Sequence, residues 1–202
     1  ALQVRLDTLV LSHRDTDHVG GAAAVLAQQP QANWIGSLAN DSNAILPRPG
    51  VRCEAGMHWQ WDGVRFEVLH PLAVDYQQAR KPNALSCVLR ITAGSQVALL
   101  VGDIEEPQEA ALLARERDLR AFVLLVPHHG SKTSSSAAFL DAVAPHVALV
   151  QAGYRNRFGH PAAAVVQRYT MQGVAVVDSP HCGAWTWQSW RTDAPQGQCQ
   201  RD

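Results

Sequence analysis

Cysteine is scarce in this sequence, and its spacing argues against several classes of small domain. Only four cysteines occur among 202 residues, and no two of them have CxxC spacing. This pattern argues against a zinc ribbon, a thioredoxin-type redox pair or a disulfide-dense mini-protein. Cys182 and Cys199 flank a loop-rich segment and could form one disulfide in an oxidising compartment, but two unpaired thiols explain the pattern equally well.

Long apolar runs and an excess of charge of one sign are also absent. The longest nearly apolar runs, residues 97–101 and 121–127, are far shorter than the ~20 residues that a transmembrane helix needs. We therefore predict no transmembrane helix and, because the first residues ALQVRLD carry charge, no targeting segment. The 17 Lys and Arg residues balance 18 Asp and Glu residues, so any attraction to nucleic acid must come from a local patch.

Apolar segments of strand length alternate with alanine-rich segments of helical length, which is typical of a layered α/β protein. The predicted strands cover residues 6–11, 64–69, 86–92, 96–101, 122–126, 147–151 and 174–177. The predicted helices cover residues 18–29, 107–117, 136–143 and 161–172, with an irregular loop at 40–57. Residues 183–190 hold three tryptophans in the alternation of a packed edge strand, and the residues beyond them resemble a frayed tail.

One short segment concentrates potential metal ligands. His13, Asp15, Asp17 and His18 lie within six residues, between a predicted buried strand and a predicted helix. In extended backbone, side chains two residues apart point the same way, which brings His13 and Asp15 together, with Asp17 and His18 on the next turn. This density favours a site for two adjacent cations over a solvated turn with a helix-capping aspartate.

Two further predicted strands end in potential ligands. The strand at 96–101 is followed by Gly102-Asp103, and the strand at 122–126 is followed by Pro127-His128-His129-Gly130-Ser131. Asp103 could instead cap the helix that follows it. Because two strands deliver ligand-type residues at one edge, we favour the metal site.

Together these motifs resemble the metallo-β-lactamase superfamily, whose metal motif is HxHxDH. Here the motif reads HxDxDH, with Asp15 in place of the second histidine, and GDIE, PHHGSKTSS and FGHP follow it. Within the superfamily, this combination is similar to the hydrolase domain of the ComEC/Rec2 competence proteins, which take up DNA. The resemblance covers residues 13 to about 183 and implies an αββα sandwich, an α/β fold with two mixed sheets flanked by helices.

The resemblance also implies the organisation and the setting of the protein. One hydrolase domain would cover residues 1–191, without the N-terminal strands that usually precede the first motif, and residues 192–202 would form a C-terminal tail. The full-length protein would be a cytoplasmic membrane protein with a channel portion. This domain would then face the periplasm or the cell exterior.

The resemblance implies a set of metal ligands and leaves two positions open. The implied ligands are His13, Asp15, Asp17, His18, Asp103 and His129. The frame Pro-x-His-Gly, common in the superfamily, selects His129 and leaves His128 for proton transfer, although the two roles could be exchanged. Most members have a third histidine where this chain has Asn83, so Asn83 or an extra water could replace it. His70 is the other candidate for this ligand. It ranks second, because a histidine that closes a strand is more often a packed structural residue.

Residues near the implied ligands are predicted to bind a substrate that contains phosphate. The turn at 130–136 offers backbone N–H groups, hydroxyls and Lys132, which could cradle a phosphate or simply cap the following helix. The loop at 154–161 holds two arginines that could face a phosphodiester. The predicted catalytic residues are Asp17, His128 and His160, and the predicted substrate-binding residues are Asn83, Ser86, Ser131, Lys132 and Asn156.

The implied ligand set predicts a mechanism and a function. Two divalent ions about 3.5–4 Å apart can activate a bridging water and stabilise the attacking and leaving oxygens of an in-line displacement. A carboxylate-rich set leans toward Mn²⁺, with Zn²⁺ as the alternative. With the resemblance, this predicts hydrolysis of single-stranded DNA, without sequence preference, during DNA uptake. The alternatives are a hydrolase of a small ester, lactone or phosphorylcholine substrate, and a non-catalytic module that guides DNA.

Overall fold

The computed structural model describes residues 5–39, 46–78, 81–116, 118–191 and 197–201. The strands are β1 (Thr8–Leu11), β2 (Asn33–Gly36), β3 (Val51–Arg52), β4 (His58–Trp61), β5 (Val64–His70), β6 (Val88–Ala93), β7 (Gln96–Leu100), β8 (Val123–Leu125), β9 (Val147–Val150), β10 (Ala175–Asp178), β11 (Trp185–Thr186) and β12 (Gln198–Cys199). The helices are α1 (Thr16–Val19), α2 (Ala22–Gln28), α3 (Glu106–Arg115), α4 (Ala137–Val143), α5 (Ala163–Met171) and α6 (Ser179–Cys182), with 3₁₀ turns at Ala73–Gln77, Pro82–Leu85 and Pro127–Gly130. No helix within these ranges has the length and apolar character needed to cross a membrane.

The larger sheet contains seven strands in the order β10-β9-β8-β7-β6-β5-β4. The strands β4 to β7 are antiparallel neighbours, whereas β7 to β10 run parallel and each is followed by a helix. Parallel neighbours bring their carboxyl ends to one edge of a sheet, where α/β proteins commonly bind ligands. The segments that follow β7, β8 and β9 therefore meet at one edge.

The smaller sheet contains β1, β2 and β3, which run parallel, and its end lies at the same edge. The amide of Cys87, just before β6, donates to the carbonyl of Ser12, just after β1, at 2.9 Å. A disulfide between Cys53, directly after β3, and Cys87 also joins the two sheets. The segment after β1 is thereby held beside the segments of the larger sheet.

Three apolar clusters define the layers of the molecule. The largest packs α3, α4 and α5 against the larger sheet and includes Leu112, Phe139 and Tyr169. A second packs α2 against the smaller sheet through Leu26 and Trp34. The third contains side chains of both sheets and lies between them. The order of layers is therefore helix, sheet, sheet, helix, which confirms the predicted αββα sandwich.

The structure corrects several predicted elements. The strands β2 and β4 lie where none was predicted, because four residues are too short to show a clear alternation of apolar and polar side chains. The predicted helix at 18–29 is divided into α1 and α2 at Gly20-Gly21, since glycine is a poor helix former. Residues 40–45 of the predicted loop and residue 117 of the predicted second helix lie outside the described residues.

The C-terminal region also differs from its prediction. Only Trp185–Thr186 of the predicted strand at 183–190 is a strand, and it pairs with Gln198–Cys199 of the predicted tail. A Cys182–Cys199 disulfide secures this pairing and decides between the two interpretations of these cysteines. The second disulfide, Cys53–Cys87, had no signal in the spacing of the cysteines. Residues 192–196 lie outside the described residues.

Candidate metal centre

The segment after β1 supplies one buried and three more exposed side chains of the metal-ligand type. The side chain of His13 is fully buried, whereas those of Asp15 and Asp17 are 43% and 64% exposed. The short helix α1 begins directly after Asp15 and carries Asp17 and His18 in its single turn. The Ser12 hydroxyl lies 3.1 Å from His13 Nδ1 and 2.9 Å from His18 Nδ1, so it orients both imidazoles. The Nε2 atoms of both rings remain available to the centre.

Asp103 follows β7 and is held in place by neighbouring backbone and side chains. It is 4% exposed, and its N–H donates to the Ser86 hydroxyl at 3.0 Å. The preceding Gly102 has a φ of +55°, and a Cβ there would lie 2.9 Å from Ser12 Cβ, so glycine is required at this position. Ser86 is fully buried and its Oγ also lies 3.3 Å from His13 Nδ1. The structure therefore gives Ser86 a positioning role in place of the predicted contact with substrate.

The Pro127–Gly130 turn after β8 presents two histidines with different partners. Both have left-handed backbone, with φ of 48° at His128 and 54° at His129, a conformation that costs about 1–2 kcal/mol for a non-glycine residue. His129 Nδ1–H donates to the Gln151 carbonyl at 2.6 Å, which leaves Nε2 for the centre. His128 Nδ1 instead lies 3.3 Å from Glu105 Oε1.

Four side chains from three segments converge at this edge of the sheets. The ligand atoms of Asp17, His18, Asp103 and His129 all lie within 4.8 Å of one another. His129 Nε2 is 3.2 Å from an Asp17 oxygen and 3.4 Å from an Asp103 oxygen. His18 Nε2 is 3.3 Å from the other Asp103 oxygen. Of the two histidines in the turn, His129 is the one that the structure brings into this group.

His13 and Asp15 lie beside this group, next to the same Asp103 carboxylate. His13 Nε2 is 3.6 Å from an Asp15 oxygen and 3.7 Å from an Asp103 oxygen, which exceeds hydrogen-bonding distance. Among the described residues, this buried nitrogen has no hydrogen-bond partner. A buried polar atom needs a partner, and a divalent cation can accept an imidazole nitrogen and two carboxylates at once. The donor set therefore fits a divalent metal.

Burial and mutual contacts give these groups different protonation states near neutral pH. Burial, and then the nearby His18, lower the pKa of His13 to about 4, so this ring is neutral. The hydrogen bond with Asp103 raises the pKa of His129 to about 9, against the effect of burial. Burial acts to raise the pKa of Asp103, but hydrogen bonds from His129 and His18 outweigh it and hold that pKa well below its usual range. A metal would therefore meet an ionised Asp103 and a neutral His13, and would displace a proton from His129.

Asn83 and His160 border the centre on the side of His128. Asn83 Nδ2 lies 3.2 Å from His128 Nε2. The His160 ring lies 5.8 Å from the ring of His128 and 6.5 Å from that of His129. Neither residue belongs to the convergent group, and their predicted roles stay predictions. His70 is buried and its Nε2–H donates to a backbone carbonyl at 3.0 Å, which agrees with the structural role favoured for it.

Two amides of the predicted phosphate cradle at 130–136 are already occupied by a side chain of the protein. The fully buried Glu109 carboxylate accepts hydrogen bonds from the amides of Ser135 and Ser136, at 2.6 and 2.8 Å. Burial raises the pKa of this carboxyl, although the hydrogen bonds from Ser136 and Ser135 oppose that effect. The prediction that free N–H groups of this turn bind phosphate is therefore corrected for these two amides.

The other predicted substrate-binding residues occupy different environments. Ser131 is buried, and its hydroxyl lies 3.1 Å from that of Thr133. The Asn156 side chain is used within its own loop, where it donates to the His160 carbonyl at 2.6 Å and accepts from the His160 N–H at 3.0 Å. Lys132 is exposed. Contact of these residues with a substrate stays a prediction.

Sequence reasoning missed several residues that support the histidines, among them Ser12, which orients His13 and His18. The Glu105 carboxylate accepts a hydrogen bond from the Thr133 hydroxyl at 2.7 Å and lies beside His128. Gln151 acts through its carbonyl, which no side-chain pattern can reveal. The position of Glu105 in the GDIE motif, two residues after Asp103, was a signal that could have found it.

The fold and the site together define a metal-dependent hydrolase of the metallo-β-lactamase type, and comparison with known proteins agrees. A family model described as the metallo-beta-lactamase superfamily matches residues 2–154. The chain therefore belongs to the metallo-beta-lactamase superfamily. The fold is also similar to that of the metallo hydrolase Igni18 from Ignicoccus hospitalis, with a TM-score of 0.53 and 15% identity, over 85% of this chain and 75% of that one.

Two curated relatives narrow the resemblance within the superfamily. The chain is 39% identical over 185 residues to competence protein ComA of Neisseria gonorrhoeae, covering 89% of this chain and 25% of that protein. It is 36% identical over 163 residues to recombination protein 2 of Haemophilus influenzae, covering 81% of this chain and 20% of that protein. The chain thus spans a quarter or less of the length of these relatives. It is a homologue of the ComEC/Rec2 competence proteins, as its motifs indicated.

Proposed function

We propose that this chain is a metal-dependent nuclease that hydrolyses phosphodiester bonds of single-stranded DNA, without sequence preference, during competence-linked DNA uptake. The observation that carries the proposal is the convergence of histidines and aspartates around the buried Asp103 carboxylate. Membership of the superfamily supports metal-dependent hydrolysis. The names of competence protein ComA and recombination protein 2 support DNA as the substrate.

Both oxygens of Asp103 face histidine nitrogens, and we propose that the centre holds two metal ions, as the resemblance implies. One of its oxygens lies 3.3 Å from His18 Nε2, and the other lies 3.7 Å from His13 Nε2 and 3.4 Å from His129 Nε2. The residues that would hold the ions are the six implied ligands, namely His13, Asp15, Asp17, His18, Asp103 and His129. When bound, the ions would supply an activated water and would neutralise charge on the phosphodiester oxygens. The three carboxylates favour Mn²⁺, with Zn²⁺ as the alternative.

The chain's own residues support proton transfer and substrate orientation beside these ligands. The Glu105 carboxylate lies behind His128 Nδ1 at 3.3 Å and fixes the orientation of that ring, while Asn83 contacts its Nε2. Burial, and then the charges of His128 and His129, lower the pKa of His160. We propose that His128 holds the proton needed by the leaving oxygen, and that His160 orients the phosphodiester as a neutral donor.

We further propose that the domain works in an oxidising compartment, as part of a longer membrane protein. The Cys53–Cys87 and Cys182–Cys199 disulfides support an oxidising compartment, since such bonds rarely persist in the cytosol. The partners would be DNA and the membrane channel portion of the same protein. The domain would then lie in the periplasm or outside the cell.

The proposal is tested by incubating the purified chain with labelled single-stranded DNA in Mn²⁺, in Zn²⁺ and in EDTA. We expect cleavage with added metal and none in EDTA. His18→Ala should reduce cleavage to background, because His18 Nε2 faces the shared carboxylate. The matched control is His58→Ala, which removes an exposed histidine whose Nδ1 lies 3.0 Å from the Gly56 carbonyl, away from the candidate ligands. Intact DNA with every metal, for a chain shown to bind that metal, would overturn the proposal.

A second candidate function is favoured by a cavity beside the ligands. This cavity of about 240 Å³ is lined by His18, Asp103 and His129 and by apolar residues that include Leu89 and Leu125. An apolar wall next to a metal centre suits the acyl part of a small ester or lactone. Parallel assays with DNA, bis-p-nitrophenyl phosphate and a lactone separate the two functions.

A further inference from the structure

The loop between β9 and α5 presents two aromatic rings to solvent beside the metal centre. Tyr154 is 68% exposed and Phe158 is 67% exposed. Each ring lies next to the guanidinium of a neighbouring arginine, with Arg155 5.2 Å from the Tyr154 ring centre and Arg157 4.9 Å from that of Phe158. Exposed aromatic rings that alternate with cations are the components of a surface that binds single-stranded nucleic acid.

The loop that carries these rings is built by its own hydrogen bonds. The Asn156 side chain donates to the carbonyls of Gly153 and His160 and accepts from the His160 N–H. The Ala162 amide, at the start of α5, donates to the Gly130 carbonyl at 2.9 Å, which ties the loop to the turn that carries His128 and His129. Both exposed rings therefore lie on a loop whose backbone is held by hydrogen bonds.

A series of nearly parallel rings leads from this loop to the metal centre. The rings of Phe158 and His160 lie 5.8 Å apart with an angle of 17° between their planes. The rings of His160 and His129 lie 6.5 Å apart with an angle of 21°. A nucleotide base on Phe158 would thus be separated from the predicted ligand His129 by the rings of Phe158 and His160, so a strand held on the loop would lie near the centre.

The positive charge of this loop is local, because the chain as a whole is nearly neutral. The formal net charge is −1, so the molecule as a whole does not attract a polyanion, and Arg155 and Arg157 provide positive charge at the place where the rings are exposed. In a double helix the base faces are covered by their neighbours, whereas a single strand can place a base on an aromatic ring.

We propose that the 154–158 loop is a stacking platform for single-stranded nucleic acid. Tyr154 and Phe158 stack on bases, and Arg155 and Arg157 contact the flanking phosphates. The platform holds the strand across the metal centre and selects single strands over duplexes. This inference deepens the proposed nuclease function and rests on it, because it assigns the residues that choose the substrate.

Binding of a phosphorothioate oligothymidylate, which resists hydrolysis, tests the platform by fluorescence anisotropy in the presence of Mn²⁺. We expect Phe158→Ala to raise the Kd about tenfold, a typical effect of losing one stacked base, and Phe158→Trp to restore it. An abasic oligomer of the same length should bind wild type and Phe158→Ala equally. The matched control is Trp190→Ala, which removes an aromatic ring that is 76% exposed outside the loop.

The arginines are tested by the salt dependence of the same binding. Arg157→Ala should lower the slope of log Kd against log salt by about 0.7, the amount expected for one lost phosphate contact on a single strand. Arg120→Ala, which removes a 78% exposed arginine side chain before β8, should leave the slope unchanged. An unchanged slope for Arg157→Ala would contradict its assigned contact.

Failure of this inference can be told apart from failure of the proposed function. Unchanged binding by Phe158→Ala, or an equal loss on the abasic oligomer, overturns the platform even if the wild-type chain cleaves DNA. Base-dependent binding that needs Phe158, in a chain that cleaves nothing with any metal, supports the platform and overturns the nuclease.

Discussion

The two sheets contribute to the metal centre from different settings. The larger sheet supplies Asp103, whose side chain is 6% exposed and whose backbone is hydrogen-bonded to Ser86, and His129, which is anchored by a carbonyl. The segment after the smaller sheet's β1 supplies Asp15, directly before the four-residue helix α1, and Asp17 within it, and their side chains are 43% and 64% exposed. The larger sheet thus provides the fixed carboxylate of the centre, and the smaller sheet provides the exposed carboxylates beside the buried His13.

The strongest test of this comparison is removal of the fixed carboxylate. Asp103→Ala should abolish binding of both ions and lower hydrolysis at least a thousandfold, because the three histidine ligands all lie beside this carboxylate. It should also lower the melting temperature, since His129 would lose the partner that raises its pKa to about 9. Metal analysis and calorimetry give the two measurements, with Asp62→Asn, an exposed aspartate in the β4–β5 turn, as the control.

Removal of an exposed carboxylate should have a smaller effect on the protein. Asp17→Ala should reduce bound metal to about one ion per chain and abolish cleavage, while the melting temperature of the metal-free chain stays within a degree or so, since the side chain is 64% exposed. The same metal analysis and thermal scan apply. If Asp17→Ala destabilised the metal-free chain as much as Asp103→Ala, the distinction between a fixed and an exposed part would be lost.

The two sheets should also differ in the protons that metal binding releases. The pKa of His129 is raised to about 9 and that of His13 is lowered to about 4, so at pH 7 the first of these two histidines must lose a proton and the second need not. Metal affinity should therefore fall about tenfold for each unit of pH below 9. Titration calorimetry in two buffers of different ionisation enthalpy should find about one proton released per chain, and release of none would contradict the assignment.

The same pKa values predict the pH dependence of the metal-free fold. Because the pKa of folded His129 lies above the ordinary value of 6.5, its stabilising contact with Asp103 is complete below pH 6.5 and is lost as the pH rises toward 9. The lowered pKa of His13 acts in the opposite direction, since its contribution is complete above pH 6.5 and is lost as the pH falls toward 4. Thermal scans of metal-free protein across this range would measure both slopes.

Most of the centre could be predicted because its ligands lie in short contiguous motifs. His13, Asp15, Asp17 and His18 fall within six residues, and Asp103 and His129 follow predicted buried strands whose carboxyl ends share an edge. Parallel pairing brings the segments after β7 and β8 together, whereas the segment after β1 joins them through contacts between the two sheets. The layered fold followed from the same alternation of strands and helices, and the structure confirms it.

The features that sequence reasoning missed depend on contacts between distant residues. Cys53 and Cys87 are 34 residues apart and come together only because the two sheets pack face to face. Glu109 fills the turn at 130–136 through a fold contact that no local pattern reveals. Likewise, Ser86 was predicted to contact the substrate, but the close approach of Gly102 and Ser12 buries it.

At the consecutive left-handed residues His128 and His129, the stability of the fold and the proposed activity favour different amino acids. Each bulky side chain occupies a backbone conformation in which glycine would relieve steric strain, so the sequence that would fold best at this turn differs from the sequence that would react best. Selection of variants for thermal stability alone would therefore tend to remove the imidazoles. A stabilised version of this domain for laboratory use should leave the turn unchanged and draw its improvements from elsewhere in the molecule.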